Sequence, residues 1–281
     1  MRKKIIIISV LFLALVSMIG YVAFNSSHGA LTGFTISYRS LESEKLPKSF
    51  NDTSVMFLTD IEYGTYFSEE RLKKLENRLK NVSCDVIIFG GDLFDRNYAV
   101  NPDDIEKVTA FLKQLNAPLG KFAILGDFDI SDPQKETVIR KILYDADFEL
   151  LDQQTFHLHN QSESFITLTG ISYTSSESIA DYFLPVSETT LNLAVIHGAK
   201  LYDSFPGNLI DLTLCGHSHH VQIDYPFFGA YQQYNMTGSY KAGSYNSGQS
   251  LLYVSRGIGT TNVDRRLFSS PEIVIFRLKS K

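Results

Sequence analysis

Leu212-Thr213-Leu214-Cys215-Gly216-His217-Ser218-His219-His220 is the stretch on which the reading of the whole chain turns. A short apolar run of strand length stops at a glycine, and imidazoles crowd the positions that follow. Side chains two residues apart in an extended chain point the same way, so His217 and His219 are expected to face one point in space. A glycine at the strand end lets the backbone turn tightly without a Cβ clash. Two imidazoles aimed at one point from a rigid strand end suit a transition-metal ion. A histidine-rich loop without a ligand would satisfy the same nine residues, so the rest of the chain must decide.

The 281 residues allow one large domain or two small ones. Apolar and charged fractions of 44% and 20% are ordinary for a packed domain and exclude a disordered chain. The net charge is −5 and basic residues cluster only at the N-terminus, which argues against a nucleic-acid partner, whose backbone selects a basic face. Cys84 and Cys215 each sit in or beside an apolar strand-like run. That predicts two buried thiols rather than a disulfide.

At the N-terminus, Arg2, Lys3 and Lys4 precede an uncharged, nearly all-apolar run over residues 5–24. Its length matches the roughly 20 residues needed to cross a bilayer as a helix. A cleavable signal has a shorter apolar core and small residues at the cut, and only Ser27, His28, Gly29 offers that pattern. Residues 1–24 are therefore expected to be an uncleaved membrane anchor (a signal-anchor), with residues 25–31 as a linker. The preceding positive charges keep that end in the cytoplasm. The domain of residues 32–281 is then extracytoplasmic.

Within that domain, strand-like and helix-like segments alternate. Residues 54–58 read as a strand and 69–80 as a helix with Leu72, Leu75 and Leu79 on one face. Strands are expected over 85–89 and 121–125, and helices over 103–115 and 133–144, the last capped by Asp132. Strands then dominate: 155–159, 165–168, 191–196, 211–215, 249–254 and 272–278. Alternation followed by a strand-rich half indicates an α/β sandwich rather than a simple parallel sheet.

Five of these strands run into a metal-ligating residue type. The first meets Asp60 and Glu62. The second ends Gly90, Gly91, Asp92, Leu93, Phe94, Asp95, Arg96, and the third Gly126, Asp127, Phe128, Asp129. The fourth gives His197 and the fifth His217 and His219. Ligands gather outside the carboxyl ends of strands in open α/β sheets. A single aspartate after a strand is commonly a turn residue or a helix cap. Five strand ends in one order are not explained that way.

This order resembles the calcineurin-like metallophosphoesterases, whose motifs run D-x-H, GDxxD, GNH[DE], a lone histidine and GHxH. The resemblance covers residues 60–219. The tail residues 253–260, with Arg266, Leu267, Phe268, Pro271, Glu272 and Ile273, are similar to the bacterial membrane-associated branch. The resemblance implies a four-layer α/β/β/α sandwich of two mixed sheets flanked by helices. It also implies two divalent ions. Asp60, Glu62, Asp92 and His219 would hold one; Asp92 as bridge, Asp127, His197 and His217 would hold the other. Such a pair clamps a phosphoryl group and acidifies a water that attacks phosphorus in line, with Arg96 opposing the negative charge.

Three positions depart from the family pattern. Glu62 stands for the first histidine, Asp127 for the asparagine, and Phe128 for the histidine that protonates the leaving group or steadies the phosphate. The first two exchanges raise the ligand carboxylates from two to four. Oxygen donors favour harder ions, so manganese is expected, with magnesium, iron or zinc as alternatives. Phe128 cannot donate a proton, and Asp95, the usual partner of the missing histidine, is left alone. Tyr63, His220 and Arg256 are the remaining candidates to touch substrate. His157 and His159, outside the pattern, are expected to be structural.

The activity expected is hydrolysis of a phosphomonoester or phosphodiester of a lipid or cell-envelope compound, outside the membrane. The alternatives are a degenerate scaffold, like the retromer subunit of this fold with its Gly-Asp-Phe-Asp third motif, or a metal-binding sensor.

Overall fold

The computed structural model describes residues 2–173, 186–205, 209–219, 222–225, 229–230, 234–248 and 250–281. The uncharged, proline-free N-terminal run forms one helix, α1 (Arg2–Ser27), of which only Ser26 is buried. Its most apolar window has a mean hydropathy of 2.8 and is 0% buried against the rest of the chain. By length and composition α1 is able to cross a membrane. Residues 25–31, expected to be a linker, are largely helical. The Ser26 and Ser27 hydroxyls bond back to the carbonyl of Ala23. A single turn, α2 (Gly29–Thr32), then buries Leu31, so the segment docks on the domain.

The domain continues through β1 (Thr35–Ser43), β2 (Ser54–Leu58), α3 (Glu69–Leu79), β3 (Val86–Phe89), α4 (Pro102–Gln114), β4 (Lys121–Ala123), α5 (Pro133–Asp145) and β5 (Glu149–Leu150). After these come β6 (Gln154–His159), β7 (Phe165–Ile171), β8 (Asn192–Ile196), β9 (Leu212–Cys215), β10 (Asp224–Tyr225), β11 (Gly229–Ala230), β12 (Gly243–Ser247), β13 (Ser250–Val254) and β14 (Glu272–Ser280). Among the described residues two six-stranded sheets result, in the orders β1-β14-β2-β3-β4-β5 and β12-β13-β9-β8-β7-β6, beside the short β10-β11 pair. Both are mixed. β2 to β5 run parallel while β14 meets β2 antiparallel; β7, β8, β9 and β13 run parallel between antiparallel edges β6 and β12.

Strand alternation builds the layers. Met56 and Leu58 of β2 pack with Leu72, Leu75, Val108, Phe111, Ile139 and Ile142 from the helices. Val55 and Phe57 face the other way, onto Leu168, Leu193, Val195, Leu212 and Leu214 of the second sheet. A strand covered on both sides reads as a continuous apolar run, and all five residues of β2 are buried. Beyond the second sheet, Ile196, Cys215 and Val254 pack on the 3₁₀ turn Ala199–Ser204. Cys84 and Cys215 are buried free thiols. His157 stacks on Phe165 with ring centroids 4.1 Å apart, a surface contact on the edge strand.

Candidate metal centre

The parallel strands β2, β3, β4, β8 and β9 bring their carboxyl ends to one place. The sheet ladder continues past the strands into the loops: Asp60 N–H donates to Gly91 O at 2.9 Å and Glu62 N–H to Asp92 O at 3.1 Å. Asp60, Glu62, Asp92, His217 and His219 have φ of 54°, 48°, 57°, 64° and 47°. Such backbone costs a non-glycine residue on the order of 1–3 kcal/mol and collects at functional sites. The loop after β9 is thus not extended, which corrects the two-residue alternation expected there. His217 and His219 serve two adjacent groups of side chains rather than one point.

One group is Asp92, Asp127, His197 and His217, each offering a ligand atom within 4.8 Å of the others. His197 Nε2 lies 3.1 Å from Asp92 Oδ2 and 3.2 Å from Asp127 Oδ1. His217 Nδ1 lies 3.1 Å from the same Asp127 oxygen. The other group is Asp60, Glu62 and His219, with His219 Nε2 2.8 Å from Glu62 Oε1 and 3.9 Å from Asp60 Oδ1. The His217 backbone N–H donates to Asp60 Oδ1 at 3.0 Å and joins the two groups. Glycine makes the approach feasible, since a Cβ on Gly126 would lie 2.1 Å from Asp92 Oδ1.

The donor set fits divalent cations. The second ring nitrogens of His197 and His217 meet the carbonyls of Gly90 and Asn235. A carbonyl only accepts, so those nitrogens carry protons, and the opposite nitrogens face the carboxylates, where either a second proton or a cation must sit. Metal-ligating histidines are oriented in this way. Burial opposes charge on His197, but Asp92 and Asp127 outweigh it and raise its pKa, so the site demands positive charge, which a divalent cation supplies in place of the ring protons. Neither Glu62 oxygen receives a directed hydrogen bond although both are buried, and His219 Nδ1 is also without a partner among the described residues. Burial, followed by the charges of Asp92, Asp60 and Asp95, pushes the Glu62 carboxyl well above its usual range. Burial holds His219 down to about 4, against the pull of Asp60. For Asp127 burial acts against the charge, but hydrogen bonds from His197 and His217 win and lower its pKa.

Above these groups lies a cavity of about 510 Å³ lined by Asp127, His217, Asp95, Arg96, Phe128 and Tyr234 among others. Arg96 lies across its wall. Its Nη2 is 2.8 Å from Asp127 Oδ2, and its guanidinium sits 4.3 Å from the centre of the Phe128 ring. Phe128 also gives its backbone N–H to Asp92 Oδ1 at 2.9 Å. Asp95 lines the cavity, while its Oδ1 accepts from Thr65 Oγ1 at 3.0 Å and Asn97 N at 3.1 Å.

Two expected substrate contacts are placed elsewhere. Tyr63 is buried, and its hydroxyl donates to Asp104 at 3.2 Å among Phe94 and Tyr98. The positive φ at Glu62 turns the next side chain into the helix-facing core. Arg256 pairs with Glu272 at 3.2 Å and does not line the cavity. His220 lies outside the described residues.

Two supporting residues were not expected. Asp129 accepts from the backbone N–H groups of Asp92, Leu93 and Gly126 at 2.8–2.9 Å and so ties the second loop to the third. Burial and then the Asp92 charge lift its carboxyl to about 7. Fully buried Arg266 donates to the carbonyls of Arg256, Gly257 and Gly259. It thereby fixes the segment whose Ile258 and Gly259 N–H groups hold Asp60 O. The acid two residues after Asp127 was a signal for the first. Nothing local marks Arg266, because its partners are backbone atoms.

The calcineurin-like phosphoesterase profile matches residues 53–221, more than half of the chain. The metallophosphoesterase YkuE of Bacillus subtilis (strain 168) is 27% identical over 246 residues, covering 86% of this chain and 84% of that protein. A Campylobacter jejuni metallophosphoesterase, Cj0846, is 27% identical over 277 residues, covering 96% and 70%. The UDP-2,3-diacylglucosamine pyrophosphatase LpxG of Chlamydia muridarum is 26% identical over 294 residues, covering 83% and 86%. The profile spans all five ligand-bearing loops, and the chain belongs to the calcineurin-like phosphoesterase family as a metal-dependent phosphoric ester hydrolase.

Proposed function

We propose that two divalent cations, manganese before magnesium, iron or zinc, occupy the two side-chain groups. We propose further that the enzyme cleaves a phosphate ester or phosphoanhydride of a membrane lipid on the outer side of the membrane. Asp60, Glu62 and His219 would hold one ion, Asp127, His197 and His217 the other, with Asp92 shared. The convergence of Asp92, Asp127, His197 and His217 within 4.8 Å carries this reading. Bound there, the ions supply Lewis-acid stabilisation of a phosphoryl group and acidify water.

The chain's own residues do the rest. Arg96, held between Asp127 and the Phe128 face, presents the unused edge of its fork to a phosphoryl oxygen, a geometry suited to charge stabilisation. Gly90 O and Asn235 O keep His197 and His217 in one tautomer. Phe128 excludes water from that wall and offers no proton, so general-acid help worth about 10²–10⁴-fold is absent at this position. The site then favours leaving groups that depart as stable anions. A phosphate, whose second pKa is about 6, fits better than an alkoxide, and the pyrophosphatase named among the relatives agrees with that preference.

The proposed location is supported by α1. Its exposed apolar surface is stable in lipid and costly in water, and Arg2, Lys3 and Lys4 support a cytoplasmic start for it. A panel of phosphate monoesters, diesters and pyrophosphates, given to the full-length protein with manganese, tests the activity. Turnover is expected to favour pyrophosphate and aryl substrates over alkyl esters and to vanish in Asp92→Ala. Turnover unchanged in Asp92→Ala overturns the reading.

A further inference from the structure

We propose that the loop over residues 262–269 is a second membrane contact, docking the rim of the catalytic cavity onto the lipid headgroups through Phe268 and Arg265. The inference rests on α1 being a membrane anchor.

The geometry begins where the anchor ends. The apolar run of residues 5–24 is about 30 Å long as a helix, one hydrocarbon thickness. Ser26 lies only two residues beyond it, at headgroup level. There the Arg266 N–H donates to Ser26 O at 2.9 Å, and Ser26 is buried. The same loop reaches the cavity, which Thr261 and Asn262 line. Four Cα steps lead from Asn262 to Arg266, and extended chain spans at most about 14 Å over that interval. The rim of the substrate cavity is therefore within about 14 Å of the anchor's exit point.

The loop is rigid where it must be. Leu267 N–H donates to Gln222 O and its carbonyl accepts from Asp224 N–H. Ser269 Oγ donates to His219 O at 3.0 Å. Asp264 is neutralised by a two-pronged pair with Arg71 at 2.7 and 2.8 Å. Between the fixed Leu267 and Ser269, Phe268 is held at φ 57° with 63% of its surface exposed. An aromatic ring kept in water on strained backbone, beside the exposed Arg265, has the composition of an interfacial insertion: an apolar wedge with a cation for anionic headgroups. Tyr21 and Phe24 of α1 are exposed within two helical turns of Ser26, as in an aromatic belt. With two points of contact the domain cannot swing freely about α1, and the cavity stays against the surface from which a lipid phosphate would enter.

The chain contains no tryptophan, so single substitutions report their own surroundings. Full-length Phe24→Trp, Phe268→Trp and Tyr144→Trp proteins are reconstituted in phosphatidylcholine–phosphatidylglycerol vesicles, with and without brominated acyl chains. Tyr144 is the water control, 79% exposed on α5 beside β5, at the opposite edge of the first sheet from β1. Blue-shifted emission and quenching by brominated lipid are expected at positions 24 and 268 but not at 144. Quenching at 24 with water-like, unquenched emission at 268 overturns the second contact and leaves the anchor intact. No quenching at 24 removes the anchor and this inference together. Quenching at all three positions means non-specific adsorption and overturns it as well.

Discussion

Among the described residues, Arg96 is the one cation that touches both the metal-ligand shell, through Asp127, and the open cavity. Its stacking on Phe128 gives a physical reason for the aromatic where relatives in the family have histidine: the ring trades proton donation for a platform that fixes the guanidinium. Arg96→Ala is expected to lower kcat about 10²–10³-fold, the usual cost of a lost charge-stabilising donor, with metal content unchanged. Steady-state kinetics beside metal analysis checks both. Gly126→Ala puts a methyl group against Asp92 Oδ1. The carboxylate must move, and a misplacement near 1 Å costs about 10²-fold, read as lost turnover in a chain of unchanged circular dichroism. At this scale the sequence was informative wherever a ligand type follows a strand and a glycine. It marked Asp129 only as an acid in the third motif and was silent on Arg266's role, because Arg266 acts on backbone carbonyls. It was misleading for Tyr63, because left-handed residues at 60 and 62 break the alternation from which side-chain direction is read.

Among the elements, the central strands and the three amphipathic helices follow from periodicity, and their ends agree with the expected ranges to within about three residues. β1 was not foreseen: its exposed middle, Arg39 and Ser40, hides the alternation, and it is held by β14 over nine registered pairs. β5 and the β10–β11 pair are two residues long, too short for any period. At the junction of the sheets, the Tyr253 hydroxyl donates to buried Glu272 at 2.8 Å. Burial and then the Glu272 charge raise the phenol to about 12. An unfolded tyrosine gives up its proton near pH 10, so this contribution is complete below about pH 10 and is lost as the pH climbs toward 12. Tyr253→Phe is expected to cost about 1.5–3 kcal/mol at neutral pH, as for a hydrogen bond to a charged group. It should also flatten part of the alkaline loss of stability, measured by urea unfolding at pH 8, 10 and 11.

For the molecule as a whole, two sheets bury an apolar interior and deliver four carboxylates and three imidazoles to their common edge. Carboxylates this close repel unless cations lie among them, so the fold and the ions are thermodynamically linked. The end of α1 docks on the loop that also walls the cavity, a link that no local pattern revealed because Ser26 and Arg266 are 240 residues apart.

The most direct test is the metal content of the purified full-length protein after equilibration with manganese and removal of free ion, with Asp92→Asn alongside. Two-metal chemistry predicts about two ions per chain in the native protein and a clear loss in the variant at unchanged circular dichroism. A native chain that retains no metal, or a variant that retains as much as the native chain, contradicts the account.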